Sequence, residues 1–290
     1  METPSGAPCS LILKIKHYYP SMSPTQRRIA DFILENTTQV VHLNVAALAG
    51  ACHVSEATVV RFSRILGFPG FRDLKIAFAM EPRKQVQIIH EEITESDSPY
   101  QVFGKVCKSV FHSMEDTKSI LSSNSEALDK IVEAIRAASR ILIIGMGSSS
   151  YVAADLHHKL LRLGYGSLTY VDPHLQMISA MNLQKGDLLI AISNSGASKE
   201  ILDTVALAKS RGVTIASILR YGESPLLHQT DLPLFVASPE APYHMLPMSS
   251  RIVQLSYVDT LYILTAIRDG QASIDQVNAV EDMLKESKLL

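Results

Sequence analysis

Apolar positions along this chain repeat with two different periods. Up to about Arg140 they recur every three or four residues, as on amphipathic helices; beyond it, short unbroken apolar runs alternate with helical segments. In the first region SPTQRRIADFILENTTQVV reads as one helix, with Ser23 as N-cap, Pro24 in the first turn and Ile29, Phe32 and Ile33 on one face. NVAALAGAC gives a short second helix capped by Asn44, with Val45, Leu48, Ala49 and Cys52 inward. After His53-Val54 comes SEATVVRFSRILG, capped by Ser55 and ended by Gly67, and FPGFRDLKIAF opens another helix. Two further helices fall between 101 and 139, around Val106 and Val110 and then around Ile131 and Ile135.

In the second region, strands are predicted at Ile141 to Ile144, Leu168 to Val171, Asp187 to Ile192, Val213 to Leu219 and Leu232 to Val236. Helices at Tyr151 to Leu163, His174 to Met181 and Lys199 to Ser210 separate them, and two more, Ser249 to Arg268 and Ile274 to Lys285, close the chain. Runs such as LLIAI carry no polar face, which fits strands covered on both sides. The alternation predicts an α/β fold, a doubly wound parallel sheet, behind an all-α domain. The expected division is a helical domain over 1–82, a polar linker over 83–100 and the sheet domain with its flanking helices over 101–290.

The spacing of the two short helices has the layout of a helix-turn-helix unit. Ala49 supplies the small residue where the helices cross, Val54 plugs the turn, and Val59 and Phe62 return to the core. The outward face of the second helix then carries Ser55, Glu56, Thr58, Arg61 and Arg64, and Arg72 and Lys75 stand on the next helix. Arginines at such positions suit guanine edges or phosphates, and the hydroxyls and helix-start amides suit phosphates or bases. Charge leans the same way: residues 1–84 hold 10 Lys/Arg against 6 Asp/Glu, while 85–290 hold 17 against 23. The alternative at this point is a small helical bundle with a merely solvated charged face.

Two predicted strands end in serine-rich turns, GMGSSS (145–150) and SNSGAS (193–198). In an open parallel sheet, ligands bind beyond the carboxyl ends of the strands where the winding direction reverses, so both turns are expected at one site. Gly145 and Gly147 permit close backbone approach, and Ser148, Ser149, Ser193, Ser195 and Ser198 supply hydroxyls beside free helix-start N–H groups. That combination is a receptacle for an anion, most simply a phosphate.

A dinucleotide fingerprint is the rival reading of GMGSSS, with Asp172 as its ribose carboxylate. It is disfavoured because Ser150 stands at the third glycine position and Asp172 lies 27 residues beyond Gly145. No cofactor is therefore expected. His157 and His158 are adjacent and cannot share a helix face, and Cys9, Cys52 and Cys107 lack ligand spacing, so no metal site is expected and the thiols read as reduced. The start METPSGAPCS has no basic stretch followed by an apolar core, and the stretch Ile252 to Ile267 is interrupted by Gln254 and Asp259 and too short to span a bilayer. These features point to a cytoplasmic protein with no membrane partner.

GMGSSSYVAADLHHKLLRLG together with AISNSGASKEI resembles the SIS (sugar isomerase) domain. SSRIVQLSYVDTLY resembles the segment downstream of that domain in the RpiR family of bacterial transcription regulators, and VSEATVVRFSRILGFPGFRDLK resembles that family's N-terminal helix-turn-helix. The resemblance covers nearly the whole chain. It implies a dimeric or tetrameric regulator of carbohydrate metabolism that binds double-stranded operator DNA and a phosphorylated sugar effector. It places phosphate contacts at Ser149, Ser193, Asn194, Ser195 and Ser198; Gly147 and Ser148 join them as part of the first turn, and His174, after the second strand, is expected to read sugar hydroxyls or to serve as a structural hydrogen-bonder. A sugar-phosphate isomerase of the same fold is the alternative, with Glu200, Glu240, His174 or His244 as its general base. The helix-turn-helix head favours the regulator, with no catalytic residue.

Overall fold

The computed structural model describes residues 11–19, 22–40, 43–80, 93–94, 96–124, 126–237 and 248–287. The chain forms two compact units, residues 1–105 and 106–290.

The first unit is helical: α1 (Leu11–Tyr18), α2 (Pro24–Glu35), α3 (Thr37–Val40), α4 (Val45–Ala51), α5 (Glu56–Ile65) and α6 (Phe71–Met80), with α7 (Pro99–Ser122) beginning before its end. Ser23 and Gln26 close the start of α2 as a reciprocal box, each side chain taking the other's backbone N–H. The predicted single helix from Ser23 breaks at Asn36, whose amide side chain donates to the Phe32 carbonyl at 2.9 Å beside its own backbone N–H. An asparagine that bonds the backbone competes with helix continuation at that point. The core is one cluster that includes Ile15, Ile29, Ile33, Leu48, Phe62 and Leu74. α1, which is not among the helices predicted from the apolar pattern, buries Leu11 and Ile15.

The helix-turn-helix is built as expected, and the chain turns by 99° between α4 and α5. Val54 donates to the Ala49 carbonyl at 2.9 Å, and His53 between them has φ 50°, a left-handed conformation that glycine usually supplies. Val59 and Phe62 are fully buried, and Gly67, φ 84°, follows the Leu66 C-cap of α5.

Residues 83–92 and 95 of the predicted linker lie outside the described residues. Its end is helical, because Ser98 and Gln101 form a capping box that starts α7 at Pro99.

In the second unit α7 and α8 (Glu126–Ala137) precede a five-stranded parallel sheet. The strands are β1 (Ile141–Gly145), β2 (Ser167–Thr169), β3 (Leu188–Ser193), β4 (Thr214–Arg220) and β5 (Leu232–Val236), in the order β2-β1-β3-β4-β5. Between them run α9 (Ser148–Arg162), α10 (Pro173–Met181) and α11 (Lys199–Ser210), and α12 (Met248–Asp269) and α13 (Gln271–Ser287) follow. Every residue of β1 and β3 is buried, because alternate side chains enter two different cores. Ile141, Ile143 and Ile190 meet α8, α9 and α12 on one face; Leu142, Ile144 and Leu189 meet α10 and α11 on the other. β2 is shorter than predicted: as an edge strand it pairs only with β1, and the chain leaves at Tyr170 to enter α10. Val171 and Leu168 are consequently exposed. The predicted helix around Ile252 to Ile267 is a core helix, with Val253, Tyr257, Val258 and Leu261 buried. Among the described residues no single helix is long and apolar enough to cross a membrane.

Candidate functional site

The winding direction reverses between β1 and β3, and there the two serine-rich turns meet. Met146, Ser148, Ser149, Ile192, Ser193, Asn194, Ser195 and Ser198 line one cavity of about 210 Å³ beyond the carboxyl ends of these strands. The cavity is smaller than a pocket that encloses a whole metabolite, so it suits the charged end of a ligand whose remainder projects outward.

Backbone constraints fix the turns. A Cβ on Gly145 would stand 2.7 Å from the Ser149 carbonyl oxygen, so glycine lets α9 start directly behind β1. A Cβ on Gly196, φ 62°, would stand 2.5 Å from Ser224 Oγ, and the Gly196 carbonyl accepts the Leu226 N–H at 3.0 Å. Within the second turn Ser193 Oγ accepts the Gly196 N–H at 3.2 Å and Ser195 Oγ accepts the Ala197 N–H at 3.3 Å. Each hydroxyl thereby keeps its own proton to give, which suits an acceptor-only partner such as a phosphoryl oxygen.

The helix starts at the cavity are open. Gly147 and Ser198 occupy the N-cap positions of α9 and α11, and neither supplies a side-chain cap bond. Ser150, also in the first turn of α9, turns its hydroxyl to the Gly147 carbonyl at 2.7 Å. In α9 the Ser149 and Ser150 N–H groups already donate to the Met146 and Gly147 carbonyls at 3.1 Å, which leaves the Ser148 N–H, so one first-turn N–H of α9, the first-turn N–H groups of α11 and two positive helix ends lie at this end of the sheet. Among the described lining residues none carries a cationic side chain. Asn194 Oδ1 is buried without a hydrogen-bond partner, an acceptor that a ligand hydroxyl would satisfy.

Of the ligand residues predicted from sequence, Ser148, Ser149, Ser193, Asn194, Ser195 and Ser198 line the cavity; Gly147, the exposed N-cap of α9, is not among the lining residues. His174 is exposed on the first turn of α10 and is not among the lining residues. The neighbouring Asp172 is spent as the α10 N-cap, its carboxylate accepting the Leu175 N–H at 3.0 Å. Glu240 and His244 lie outside the described residues. Met146 and Ile192 were not anticipated, and neither was Gln176. That side chain is fully buried beneath the first turn, and Nε2 donates to the carbonyls of Gly145 at 3.1 Å and Tyr170 at 2.7 Å. Its signal in the sequence is a polar residue on the inward face of α10, four before buried Ala180.

On the first unit Ser55, Glu56, Arg61, Arg64 and Arg72 are exposed, and Thr58 is half-buried. Ser55 Oγ caps α5 by accepting the Thr58 N–H at 3.3 Å, and the Ser55 and Thr58 hydroxyls are 2.8 Å apart. Arg61 and Arg64 spend one N–H each on carbonyls of Ala57 and Pro69, which leaves the outer edges of both guanidiniums available. Lys75 is half-buried and its ammonium donates to the Leu43 carbonyl at 3.3 Å. Burial pushes the Cys52 thiol up, and Cys52 and Cys107 are free; Cys9 lies outside the described residues. Among the described residues no cluster could hold a metal ion.

Residues 9–85 match the helix-turn-helix domain of the rpiR family, and residues 134–264 match the SIS domain. Over 275 residues the chain is 38% identical to TTE0211, an HTH-type transcriptional regulator of Caldanaerobacter subterraneus subsp. tengcongensis, covering 95% of this chain and 97% of that protein. The chain belongs to the RpiR family of HTH-type transcriptional regulators. Another relative is HexR of Pseudomonas aeruginosa, 30% identical with 90% of each chain covered. Among solved structures, Vibrio vulnificus NanR complexed with ManNAc-6P superposes with a TM-score of 0.60 at 28% identity, covering 96% of this chain and 98% of that one. The RpiR-family assignment accounts for both units: an N-terminal helix-turn-helix and a C-terminal SIS sheet.

Proposed function

We propose that this transcription regulator senses a phosphorylated sugar of carbohydrate metabolism in the cavity between β1 and β3 and conveys its presence to operator DNA. The observation that carries the reading is the pair of uncapped helix starts, α9 and α11, opening on one serine-lined cavity with no cationic side chain among its described residues. Ser148, Ser149, Ser193, Ser195 and Ser198 donate to the phosphoryl oxygens, and Asn194 Oδ1 accepts from a hydroxyl of the sugar. The NanR complex makes ManNAc-6P a first compound to try. The described lining holds no carboxylate or imidazole to act as a general base, which supports binding without catalysis over isomerisation.

On the first unit, α5 enters the major groove. Arg61 and Arg64 contact base edges or phosphates, Ser55, Glu56 and Thr58 stand at the groove end of the helix, and Arg72 and Lys75 anchor the DNA backbone. The protein works in the cytoplasm as a homodimer or homotetramer on a palindromic operator, so that ligand binding and operator affinity are linked. A coupling of about 1–3 kcal/mol alters operator affinity roughly 5- to 150-fold.

The test pairs a thermal-shift screen of phosphorylated sugars, each beside its unphosphorylated form, with two variants. Arg61→Ala should abolish specific operator binding and leave the sugar-phosphate shift intact, and Ser195→Ala should do the reverse. Loss of both activities in both folded variants would refute the division of labour. Turnover of any hit in an isomerisation assay would replace the sensor with an enzyme.

A further inference from the structure

The cavity between the serine-rich turns suits the charged end of a ligand and leaves the remainder outside. Its described lining is polar but for Met146 and Ile192, and Ile192 is buried, whereas small-molecule sites are lined mainly by apolar and aromatic groups. An aromatic residue stands one turn away. Tyr151, in the first turn of α9, is 72% exposed, more than any other described aromatic residue of the sheet unit. It follows the lining residue Ser148 by three positions and Gly147 by four, so all three share one side of the helix start. Side chains on a helix tilt toward its N-terminus and lie over the preceding turn, so a ring at this position covers the rim of the cavity. Nothing local occupies that ring. Ala154, exposed three positions further on, is too small to pack against it, and Tyr151 takes part in no hydrogen bond or ring pair among the described residues. The space over the N-cap is open as well: a Cβ built on Gly147 would meet no atom within 4 Å beyond its chain neighbours.

We propose that Tyr151 is a specificity-determining residue of this site: its ring face stacks on the sugar of the phosphorylated ligand, which binds as a closed ring and not as an open chain. The proposal deepens the sensor reading above and rests on it. The serine turns hold a group that every sugar phosphate carries, so they cannot tell one sugar from another. Choice needs a contact beyond the phosphoryl group. A closed sugar ring presents a flat face of C–H groups with its hydroxyls around the edge, and the negative face of an aromatic ring is complementary to those C–H groups. An open chain presents no such face, and its extra rotatable bonds must be frozen on binding. Tyrosine suits a rim, because its apolar body meets the ligand while its hydroxyl stays in water. Lys199 and Glu200, exposed in the first turn of α11, offer charges to hydroxyls but no flat surface.

The experiment is calorimetric titration of the full chain with inorganic phosphate, with ManNAc-6P and the other phosphorylated sugars of the screen, and with the open-chain alditol phosphate that borohydride makes from each reducing sugar. In wild type the closed-ring compound should bind more tightly than its reduced form. Tyr151→Ala should weaken the closed-ring compound roughly tenfold and leave inorganic phosphate and the reduced form unchanged, while Tyr151→Phe keeps the wild-type values. The chain contains no tryptophan, so Tyr151→Trp adds a single reporter whose emission should change with the closed-ring compound and not with inorganic phosphate. Unchanged affinity in Tyr151→Ala would overturn the proposal. So would an equal loss for inorganic phosphate, the mark of a structural role in the first turn, or a reduced form that binds as tightly as the ring. Inorganic phosphate binding as tightly as every sugar phosphate would overturn it too and leave the anion site standing, whereas no binding of any phosphorylated compound would sink the sensor and this contact together.

Discussion

α5 and α11 both begin at a serine, and they treat it oppositely. Ser55 closes α5 by accepting the Thr58 N–H, as Ser23, Asn44 and Asp172 close α2, α4 and α10. Ser198 leaves α11 open, and Gly147 has no side chain with which to close α9. Losing a serine cap bond costs a helix about 1 kcal/mol and a glycine cap only a few tenths, a cost that the ligand of the proposed function would offset by taking the N–H groups left open. A serine at a helix start thus caps its helix in one unit and leaves it uncapped in the other, where the proposed function gives it to a ligand.

The largest break in that contrast comes from the turn beneath the open helix. Gly145→Ala drives a methyl group into the Ser149 carbonyl and must displace α9. It should destabilise the sheet unit by roughly 3 kcal/mol in chemical denaturation and remove any sugar-phosphate stabilisation. The serine pair sharpens the comparison directly. Ser55→Ala should cost about 1 kcal/mol of stability. Ser198→Ala should cost under about 0.5 kcal/mol yet weaken a phosphorylated ligand roughly tenfold, one hydrogen bond to a charged group; calorimetric titration beside thermal melts reads both. In the turn of the helix-turn-helix, His53→Gly should stabilise by about 0.5 kcal/mol, because glycine accepts φ 50° without the strain of a side chain.

The smallest effect is a pH dependence. Burial, and then the nearby His158, hold the His157 imidazole below its ordinary value, and its Nδ1 lies 2.8 Å from Ser167 Oγ. The folded state thus binds fewer protons than the unfolded one in the interval between the two values. This contribution to stability is full above the ordinary imidazole range and is lost as pH falls through the folded value. The melting temperature should therefore fall less between pH 7.5 and 5.5 in His157→Gln than in wild type.

Most strands and helices were legible because burial on two faces demands unbroken apolar runs such as Leu188 to Ile192, and caps such as Ser23 and Asn44 announce helix starts. Convergence of the two serine turns was legible too, through the rule that places ligands where a parallel sheet reverses. What each serine does was not: Ser55 and Ser198 are the same residue at the same helical position, and only the surrounding backbone decides whether the hydroxyl turns inward to cap. His174 was assigned to the cleft from its place after β2, but it precedes inward-facing Gln176 by two residues, about 200° around the helix, and so faces out. Asn36 showed no sign in the apolar pattern that it would end α2, because the interruption comes from its own side chain.

Gln176 carries a mechanical implication. A single amide nitrogen grips the last carbonyl of β1 and one just past β2, while the opposite side of the same short helix is bare hydrocarbon. The helix is therefore a strut with one foot on the strand end from which the first serine-rich turn departs, so a displacement of α10 pulls on the residue just before that turn.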